Sequence, residues 1–455
     1  MARRRSGRLT GKEAVPLFAR TSAAAVIAAM IAVIPLHAQA PSPVPTPAQP
    51  PQTQTPAPAE TIAFDQAIQR AIEKNPNSQI AAAGILRAQA LLTQARAGTR
   101  LQINGTVTTT TLNRGVEFQG TTVTPQNSVT SALDVRVPLY APARWAARAQ
   151  AQQATQVAEF SAAETHRQTA LATADAYLTI IARRRVVEAN QRARDTAGAH
   201  FDLARELEQR GSGSRLNALR AQQEVSTDDS LVESARLALY QAQEALGVLL
   251  AADGPVDAAE EPSFEVPEAG APVDLAANRT DLKLFTAQEQ LAERVLHDSS
   301  KDWYPYLEGV FQPQNTYPAQ FFSPANTARF LLQLSVPLFD SGQRGGVRGE
   351  RQAALNISKA TVEAATIQAS SEVRAGREAV QSAERGLAST RAAADQARQV
   401  VDIVNISFRA GASTNIEVID AERSARDADT AVAVAEDTLR RARLSLLTAL
   451  GRFPR

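Results

Sequence analysis

The segment Leu133-Asp-Val-Arg-Val-Pro-Leu-Tyr140 recurs as Leu332-Gln-Leu-Ser-Val-Pro-Leu-Phe339, and each copy is followed by a long alanine-rich stretch. The correspondence continues downstream, where Arg210-Gly-Ser-Gly-Ser-Arg-Leu216 matches Ala410-Gly-Ala-Ser-Thr-Asn-Ile416. Both matches are separated by about 200 residues, far beyond the period of about 20–50 residues that is typical of solenoid repeats. The sequence therefore predicts a tandem duplication of one architecture rather than a repeat array.

The composition excludes several kinds of site. The 455 residues include no cysteine, so disulfides, thiolate metal sites and a lipid-modified N-terminal cysteine are excluded. The formal net charge is +1, and six of the 48 basic residues lie in the first forty positions. The rest of the chain is slightly acidic and gives no basic footprint for nucleic acid.

The N-terminal region predicts export. Residues 1–40 have the layout of a secretory signal peptide, because basic residues precede the apolar run Ala23–Leu36. That run is shorter than the roughly 20 residues that a membrane-spanning helix needs. Cleavage is compatible with either Ala38 or Ala40. Residues 41–59 are rich in Pro, Ala, Thr and Gln and are predicted to form an extended linker.

Each half carries two predicted strands, at 101–111 and 129–139 in the first half and at 304–312 and 329–338 in the second. Apolar and polar side chains alternate along them, a pattern shared by half-buried soluble sheets and transmembrane β-barrels. The strands alone do not distinguish these two cases. Because every edge of a membrane barrel must be paired, a barrel built from four strands per chain requires several chains.

Helical patterns dominate the remainder. The predicted helices are 61–98, 141–209, 215–250, 273–300, 340–409 and 415–450. The two longest would each extend roughly 100 Å at 1.5 Å per residue, deeper than a globular core. A spacing of seven relates Val373, Val380, Leu387, Ala394 and Val401, which is typical of helices that pack side by side in a supercoil.

The order of these elements is similar to that of the TolC family of outer-membrane efflux and secretion channels. The resemblance rests on the export signal, the two halves, the Val-Pro-Leu-aromatic strand ends, the glycine turns and the Leu-Gly helix ends. It implies a mainly α protein with a transmembrane β-barrel: a homotrimer whose long helical hairpins form an α-barrel, continued by a 12-stranded β-barrel with four strands per chain. The two repeats are expected at 60–270 and 271–455. Ala141-Pro-Ala143 departs from the family's usual helix start, which Asp340-Ser-Gly342 retains more closely.

The resemblance also implies a function and a location. Members are passive exit ducts of tripartite efflux pumps or type I secretion systems in the outer membrane of Gram-negative bacteria, where they contact lipid and extend into the periplasm. A periplasmic adaptor protein opens the aperture, and an inner-membrane pump or ABC transporter supplies energy. The transported substrate, the identity of the pump and adaptor, and the choice between efflux and secretion stay open at this point.

Two carboxylates mark the expected aperture. Glu417 and Asp420 are three residues apart and so share a helix face. They match acidic positions that ring the periplasmic entrance in the family, where threefold symmetry would gather six carboxylates. Such a ring attracts cations and focuses the field in a narrow pore. The alternative is a solvated helix face or favourable negative charge in a first helical turn.

Three further positions match residues that close the aperture in the family: Asn217, Phe408 and Ser413. Asn217 stands where the best-known member has an acid, and Ser413 stands where it has an arginine. The closing contacts of that member therefore do not transfer intact. We expect a looser or differently latched aperture.

Both glycine turns are expected to be helical hairpin tips. The tip residues are Gly211, Ser212 and Gly213 in the first half and Gly411 and Ala412 in the second. Glycine suits such a turn because it tolerates positive φ. The resemblance implies that these residues form the groove into which the adaptor fits, a role compatible with a purely structural turn.

Two other classes compete with this interpretation. A periplasmic coiled-coil adaptor or structural rod without a pore would share the helices and the export signal, but it would lack strand hairpins placed symmetrically in the duplication. An exported enzyme would need a convergent polar constellation. The sequence has no HExxH, no GxSxG and no Gly-rich phosphate loop after a strand. We therefore expect no enzymatic activity, no cofactor and no metal site.

Overall fold

The computed structural model describes residues 60–267 and 274–454. The predicted signal peptide, 1–40, and linker, 41–59, lie outside these described residues. The predicted bounds of the repeats, 60–270 and 271–455, stay a prediction, because their junction falls within 268–273, which is also outside.

Two sets of elements follow one another along the chain, and both contain, in the same order, two helices, two long strands, a long helix and a shorter helix. The first set is β1 (Glu60–Ile62), α1 (Phe64–Lys74), α2 (Pro76–Ala97), β2 (Gln102–Thr111), β3 (Val116–Phe118), β4 (Thr121–Thr124), β5 (Asn127–Tyr140), α3 (Pro142–Gln209), α4 (Arg215–Leu249) and β6 (Val256–Ala258). The second set is α5 (Leu275–Asn278), α6 (Thr280–Asp298), a 3-10 turn (Ser299–Trp303), β7 (Tyr306–Tyr317), β8 (Asn326–Ser335), α7 (Gln343–Arg409) and α8 (Asn415–Ala449).

The four long strands form one antiparallel sheet in the order β2-β5-β7-β8. The central pair joins the two halves of the duplication, and the register places Ile103, Val135, Phe311 and Phe330 in one row across the sheet. Three of these side chains are largely exposed, with Phe330 at 75%. The sheet therefore presents an apolar face that none of the described residues covers.

The opposite face of the sheet is polar. On this face, Arg136 Nε donates to Asp134 Oδ1 at 2.7 Å, and Gln312 Nε2 donates to Asp134 Oδ2 at 2.9 Å. Strict alternation along β5 thus separates a charged face from an apolar one, as the period of two requires. The predicted strands are confirmed, although β7 continues to Tyr317 because it pairs on both sides, and the small hairpin β3-β4 was not predicted.

Three predicted helix bounds are wrong. The helix predicted at 61–98 breaks at Asn75, whose ψ is 133°, because the following Pro76 disfavours helical geometry there. The Asn75 side chain then caps α2 by accepting from the Asn77 N–H at 2.9 Å. Residues 60–62 form β1, which pairs parallel to β6 instead of starting the helix. The helix predicted at 273–300 likewise splits at Arg279, whose ψ is 126°.

The two long helices, α3 and α7, are confirmed, and each turns back through a shorter helix, α4 or α8. Val373, Val380, Leu387 and Ala394 are buried, so four of the five heptad positions pack as expected. Val401 is half-buried near the end of α7. Among the described residues, no helix combines the length and the apolar composition that crossing a membrane requires.

The principal core lies where α1, α3, α4 and α8 meet. Tyr177 is fully buried at its centre, with its ring 5.3 Å from that of Phe64 in an edge-to-face arrangement. Its hydroxyl donates to the Glu260 carbonyl at 3.0 Å and accepts from the Glu260 N–H at 3.2 Å. Leu246 and Leu444 pack into the same core from the ends of the two short helices. The core thus lies near the middle of α3, where the two short helices α4 and α8 end.

Arg279 links three helices of the second half near the end of α8. Its guanidinium donates to Asp281 Oδ2 at 2.6 Å, Glu372 Oε2 at 2.7 Å and the Ala449 carbonyl at 3.3 Å. The hydrogen bond that Arg279 donates to Asp281, and then the one to Glu372, raise the pKa of Arg279 despite its burial. One cation therefore links α6 to α7 and to the end of α8.

Replacing Arg279 with leucine is expected to destabilise the protein by about 3 kcal/mol, since removing one partner of a buried ion pair leaves uncompensated charge. Guanidinium unfolding in detergent, followed by helical circular dichroism, measures this loss. The control is Arg385→Leu, because Arg385 pairs with Glu378 in an exposed contact on the same helix. That change is expected to cost less than about 1 kcal/mol. Equal losses in both variants would contradict the role given to Arg279.

The hairpin tips as a candidate functional site

Both helical hairpins turn at a glycine in the left-handed region. Gly211 has φ +74° and Gly411 has φ +73°, a conformation that costs any residue with a Cβ. After each turn the chain donates back to the long helix, from Gly213 N–H to the Leu207 carbonyl and from Ala412 N–H to the Ser407 carbonyl, both at 2.8 Å. The predicted tight turns are therefore present.

The residues beside the first glycine are held against the end of α3. The Ser212 N–H and hydroxyl both donate to the Leu207 carbonyl, at 3.0 and 3.3 Å. A Cβ at Gly213 would lie 2.8 Å from Leu207 Cβ and 2.9 Å from the Glu208 nitrogen. Glycine is therefore required at 213 by close approach, and at 211 by φ.

Glu417 belongs to a capping box at the start of α8. Its N–H donates to Thr414 Oγ1 at 3.4 Å, and its Oε2 accepts from the Thr414 N–H at 2.8 Å. This reciprocal pair satisfies two N–H groups that the helix end leaves free. The structure thus gives Glu417 the first-turn role that the sequence left as an alternative to the aperture ring.

Asp420 lies one turn farther along α8 on the same side as Glu417. Both side chains are exposed, whereas the intervening Val418 and Ile419 are buried. The two carboxylates therefore share the outer face of the helix, as their spacing predicts. Each remains available to a neighbouring chain or to an ion, because its face is not packed within the protomer.

The three expected closure residues take different positions. Phe408 packs its ring 5.2 Å from that of His200. Asn217 contributes its backbone carbonyl, which accepts from Asn415 Nδ2 at 3.4 Å. Ser413 donates instead to the Val404 carbonyl of its own hairpin at 3.4 Å. The structure thus brings Phe408 and Asn217 to one cluster and leaves Ser413 outside it.

That cluster is centred on two residues that sequence reasoning missed. His200 of α3 and Asn415 of α8 are 4% and 3% exposed, and His200 Nε2 lies 2.8 Å from Asn415 Oδ1. This contact joins the first hairpin to the second close to both tips. The sequence carried little signal for it, since the duplication aligns Asn415 with Arg215 and the histidines are scattered.

His200 is held neutral by its surroundings. Burial lowers its pKa, and the hydrogen bond with Asn415 opposes that effect only in part. Among the described residues, none hydrogen-bonds its Nδ1. With Asn415 Oδ1 as acceptor, the proton resides on Nε2. A second proton on the ring would therefore be buried without a partner.

Ion pairs join the short helices two turns farther from the tips. Arg423 of α8 binds Glu224 of α4 through two nitrogens, with Nε 2.9 Å from Oε1 and Nη2 2.5 Å from Oε2. Arg426 Nη1 donates to Asp228 Oδ1 at 2.8 Å. Both acids are nearly fully buried. The two hairpins of one chain are thus joined near the tips by buried ion pairs in addition to apolar packing.

Comparison with known proteins gives a consistent result. A sequence model described as outer membrane efflux protein matches residues 67–252 and 271–452. The chain is 27% identical over 419 residues to the pyoverdine export outer membrane protein OpmQ of Pseudomonas aeruginosa, covering 85% of this chain and 84% of OpmQ.

Solved structures share the fold. The outer membrane protein VceC of Vibrio cholerae superposes with a TM-score of 0.73 at 18% identity, covering 85% of this chain and 96% of VceC. The open state of the MtrE outer membrane channel of Neisseria gonorrhoeae gives 0.71 at 17% identity, covering 85% and 88%. The predicted resemblance and the predicted fold class are confirmed.

Acid is expected to loosen the contact between the hairpin tips. The pKa of His200 is lowered in the folded protein. Its contribution to the stability of the packed tips is therefore present above the ordinary pKa of 6.5 and is lost as pH falls through the folded-state pKa. Hydrogen exchange of peptides at both tips, corrected for intrinsic exchange rates, should show protection falling between about pH 7 and pH 5. His200→Gln should remove most of this fall.

The matched control is His166→Gln, on the same helix but remote from the tips. It should retain the wild-type loss of protection in acid. If His200→Gln and His166→Gln behave alike, the acid sensitivity of the tips has another source.

Proposed function

The chain belongs to the outer membrane efflux protein family, and we propose that three copies assemble into a continuous exit duct across the outer membrane and the periplasm. Membership places the protein in the outer membrane of a Gram-negative bacterium as an efflux channel. The trimer, its partners and its gate are the proposal.

The two free edges of the sheet support assembly into a trimer. The four-stranded sheet leaves β2 and β8 as free edges, and a sheet within a membrane must pair every edge. Joining β8 of one copy to β2 of the next closes twelve strands from three copies, an even number within the range of bacterial barrels. The exposed apolar face of the sheet, including Phe330 and Leu332, would then contact outer-membrane lipid.

The long helices supply the periplasmic part. Helices α3 and α7 contain 68 and 67 residues, so each extends roughly 100 Å. Six long helices and six short ones from three copies would surround a water-filled tunnel. The duct is passive: an inner-membrane pump or ABC transporter would provide the energy, and the tunnel would contribute little substrate selection.

The gate would lie at the hairpin tips. Threefold symmetry would bring six carboxylates, from Glu417 and Asp420, around one axis, where they would attract cations. Phe408 and Asn217 would act in closure through the His200 cluster, whereas Ser413 would support its own turn. A periplasmic adaptor would dock in the groove beside Gly211, Ser212, Gly213, Gly411 and Ala412 and spread the tips.

The relative OpmQ is described as an export protein for pyoverdine. We therefore propose efflux of small molecules rather than type I secretion, with pyoverdine as the first compound to assay. A pore-free adaptor or rod is the weaker alternative, because it gives no reason for a sheet with two free edges and an exposed apolar face.

Single-channel recording in planar bilayers tests the duct and its gate. Wild-type trimers should form discrete, cation-selective channels that a trivalent cation blocks from the periplasmic side. The variant Glu417→Gln/Asp420→Asn should bind the blocker at least about tenfold more weakly, a loss of 1.4 kcal/mol or more, and should lose selectivity. Glutamine is chosen because it can preserve the capping box.

The control is Asp195→Asn, which removes an exposed carboxylate of α3 away from the tips. It should leave block and selectivity unchanged. Channels whose block survives in the double variant would eliminate the acidic ring but keep the duct. Folded trimers that form no channels would eliminate the duct.

A further inference from the structure

Glu422 is a buried carboxyl group without a partner. The residue is 8% exposed, and among the described residues neither of its side-chain oxygens has a hydrogen-bond partner. Its neighbours Arg423 and Arg426, on the same helix, donate instead to Glu224 and Asp228 of α4. Glu422 therefore sits beside two ion pairs and takes part in neither.

The local charges do not balance if Glu422 is ionised. Three carboxyl groups, on Glu224, Asp228 and Glu422, would face only two guanidinium groups. Burying an unpaired charge is costly, and such groups neutralise instead. Within residues 60–267 and 274–454, no group of His, Asp and Glu side chains is arranged to hold a metal ion. A proton is the remaining way to neutralise the excess charge.

At this level, the arginines of α3 and α7 in the described part of the chain are paired with other carboxylates. Arg192 of α3 and Arg398 of α7 both contact Asp429 of α8, at 3.9 and 2.5 Å. Arg194 of α3 is paired with Asp229 of α4 at 2.9 Å. His200 of α3 contacts Asn415, and burial lowers its pKa. The charged groups of α3 and α7 are thus engaged elsewhere.

We propose that Glu422 is a proton-binding site that controls how tightly the two helical hairpins pack near their tips. In the packed state its carboxyl group is protonated, and separation of α8 from α4 admits water and releases the proton. The effect on hairpin packing follows from contacts within one chain, whereas the consequence for the aperture rests on the proposed function.

The sign of the effect follows from the surroundings. Burial, followed by the charges of Glu224 and Asp228, raises the pKa of Glu422 from 4.5 to about 7. A raised pKa means that the stabilisation of the packed state is fully present below pH 4.5 and is lost as pH rises through about 7. This dependence is opposite to that of His200, so the two groups are separable by experiment.

Hydrogen exchange of the full-length protein between pH 6 and pH 8 tests the proton site. After correction for intrinsic rates, protection in the first turns of α4 and α8 should fall about tenfold in the wild type. Glu422→Gln, which resembles the protonated form, should abolish the fall. Glu233→Gln is the control, because Glu233 is an exposed residue of α4 whose partner Arg236 lies on the same helix. It should behave as the wild type.

A second variant covers the case in which Glu422→Gln does not fold. Glu224→Gln removes one neighbouring negative charge and frees Arg423, so the loss of protection between pH 6 and pH 8 should shrink. An undiminished loss in either folded variant overturns the proposal. A wild type whose protection does not change over this range overturns it as well.

Conductance recorded over the same pH range tests the link to the gate. The open probability of wild-type channels should rise with pH, and that of Glu422→Gln channels should stay low. If hydrogen exchange behaves as expected but conductance does not depend on pH, the link to the aperture is overturned and the proton site is retained. If hydrogen exchange behaves as expected but no channels form, only the proposed function is overturned.

Discussion

The two free edges of the four-stranded sheet determine how this chain can exist in a membrane. Backbone N–H and C=O groups that are left unpaired in hydrocarbon cost several kcal/mol each, and β2 and β8 each present a full row of them. The duplication makes closure geometrically simple, because its two hairpins meet at β5 and β7, whose counterparts are the outermost strands β8 and β2. Pairing β8 with β2 of the next chain would therefore repeat the contact between β5 and β7. Pairing these edges between chains would also orient the helices that follow β5 and β8. Assembly of the sheet and of the tunnel would thus be one event.

Stabilisation is distributed unevenly along the helices. Near the middle of α3, large apolar side chains and the Tyr177 hydroxyl fix α1, α3, α4 and α8 in a single core. Along α7, small and medium apolar residues repeat at heptad spacing and permit close packing of long helices. Near the tips, hydrogen bonds and ion pairs are added to the apolar contacts. The end that is proposed to open is therefore held in part by interactions whose strength depends on solvent and charge.

Sequence reasoning reached the architecture because the architecture is repeated and periodic. Strands alternating around Leu133 and Leu332 and helices with a sevenfold spacing leave patterns that a single sequence displays. Local chemistry overrode the pattern at Asn75, where the next residue is proline, and at residues 60–62, where a distant strand supplies a partner.

The candidate site was only partly accessible from sequence. Glu417 and Asp420 share a face because their spacing guarantees it, and the glycine turns follow from residue type. The contacts of His200, Asn415 and Glu422 depend on how α3 and α4 meet α8, which no local pattern encodes. The capping role of Glu417 became visible only when the structure showed that Thr414 immediately precedes the first residue of α8. Sequence thus located the tips, and only the structure showed what holds them together.

Buried polar contacts suit a joint that has to separate. A buried ion pair contributes little net stability compared with apolar residues of the same volume, since desolvation offsets most of the attraction. Arg423–Glu224 and Arg426–Asp228 are of this kind, and water that enters on separation would solvate all four groups. An apolar joint would instead expose surface on opening, at a cost proportional to its area. Ion pairs near the tips and a large apolar core at the middle of α3 would therefore let one helical bundle be firm at its middle and separable at the end that is proposed to open.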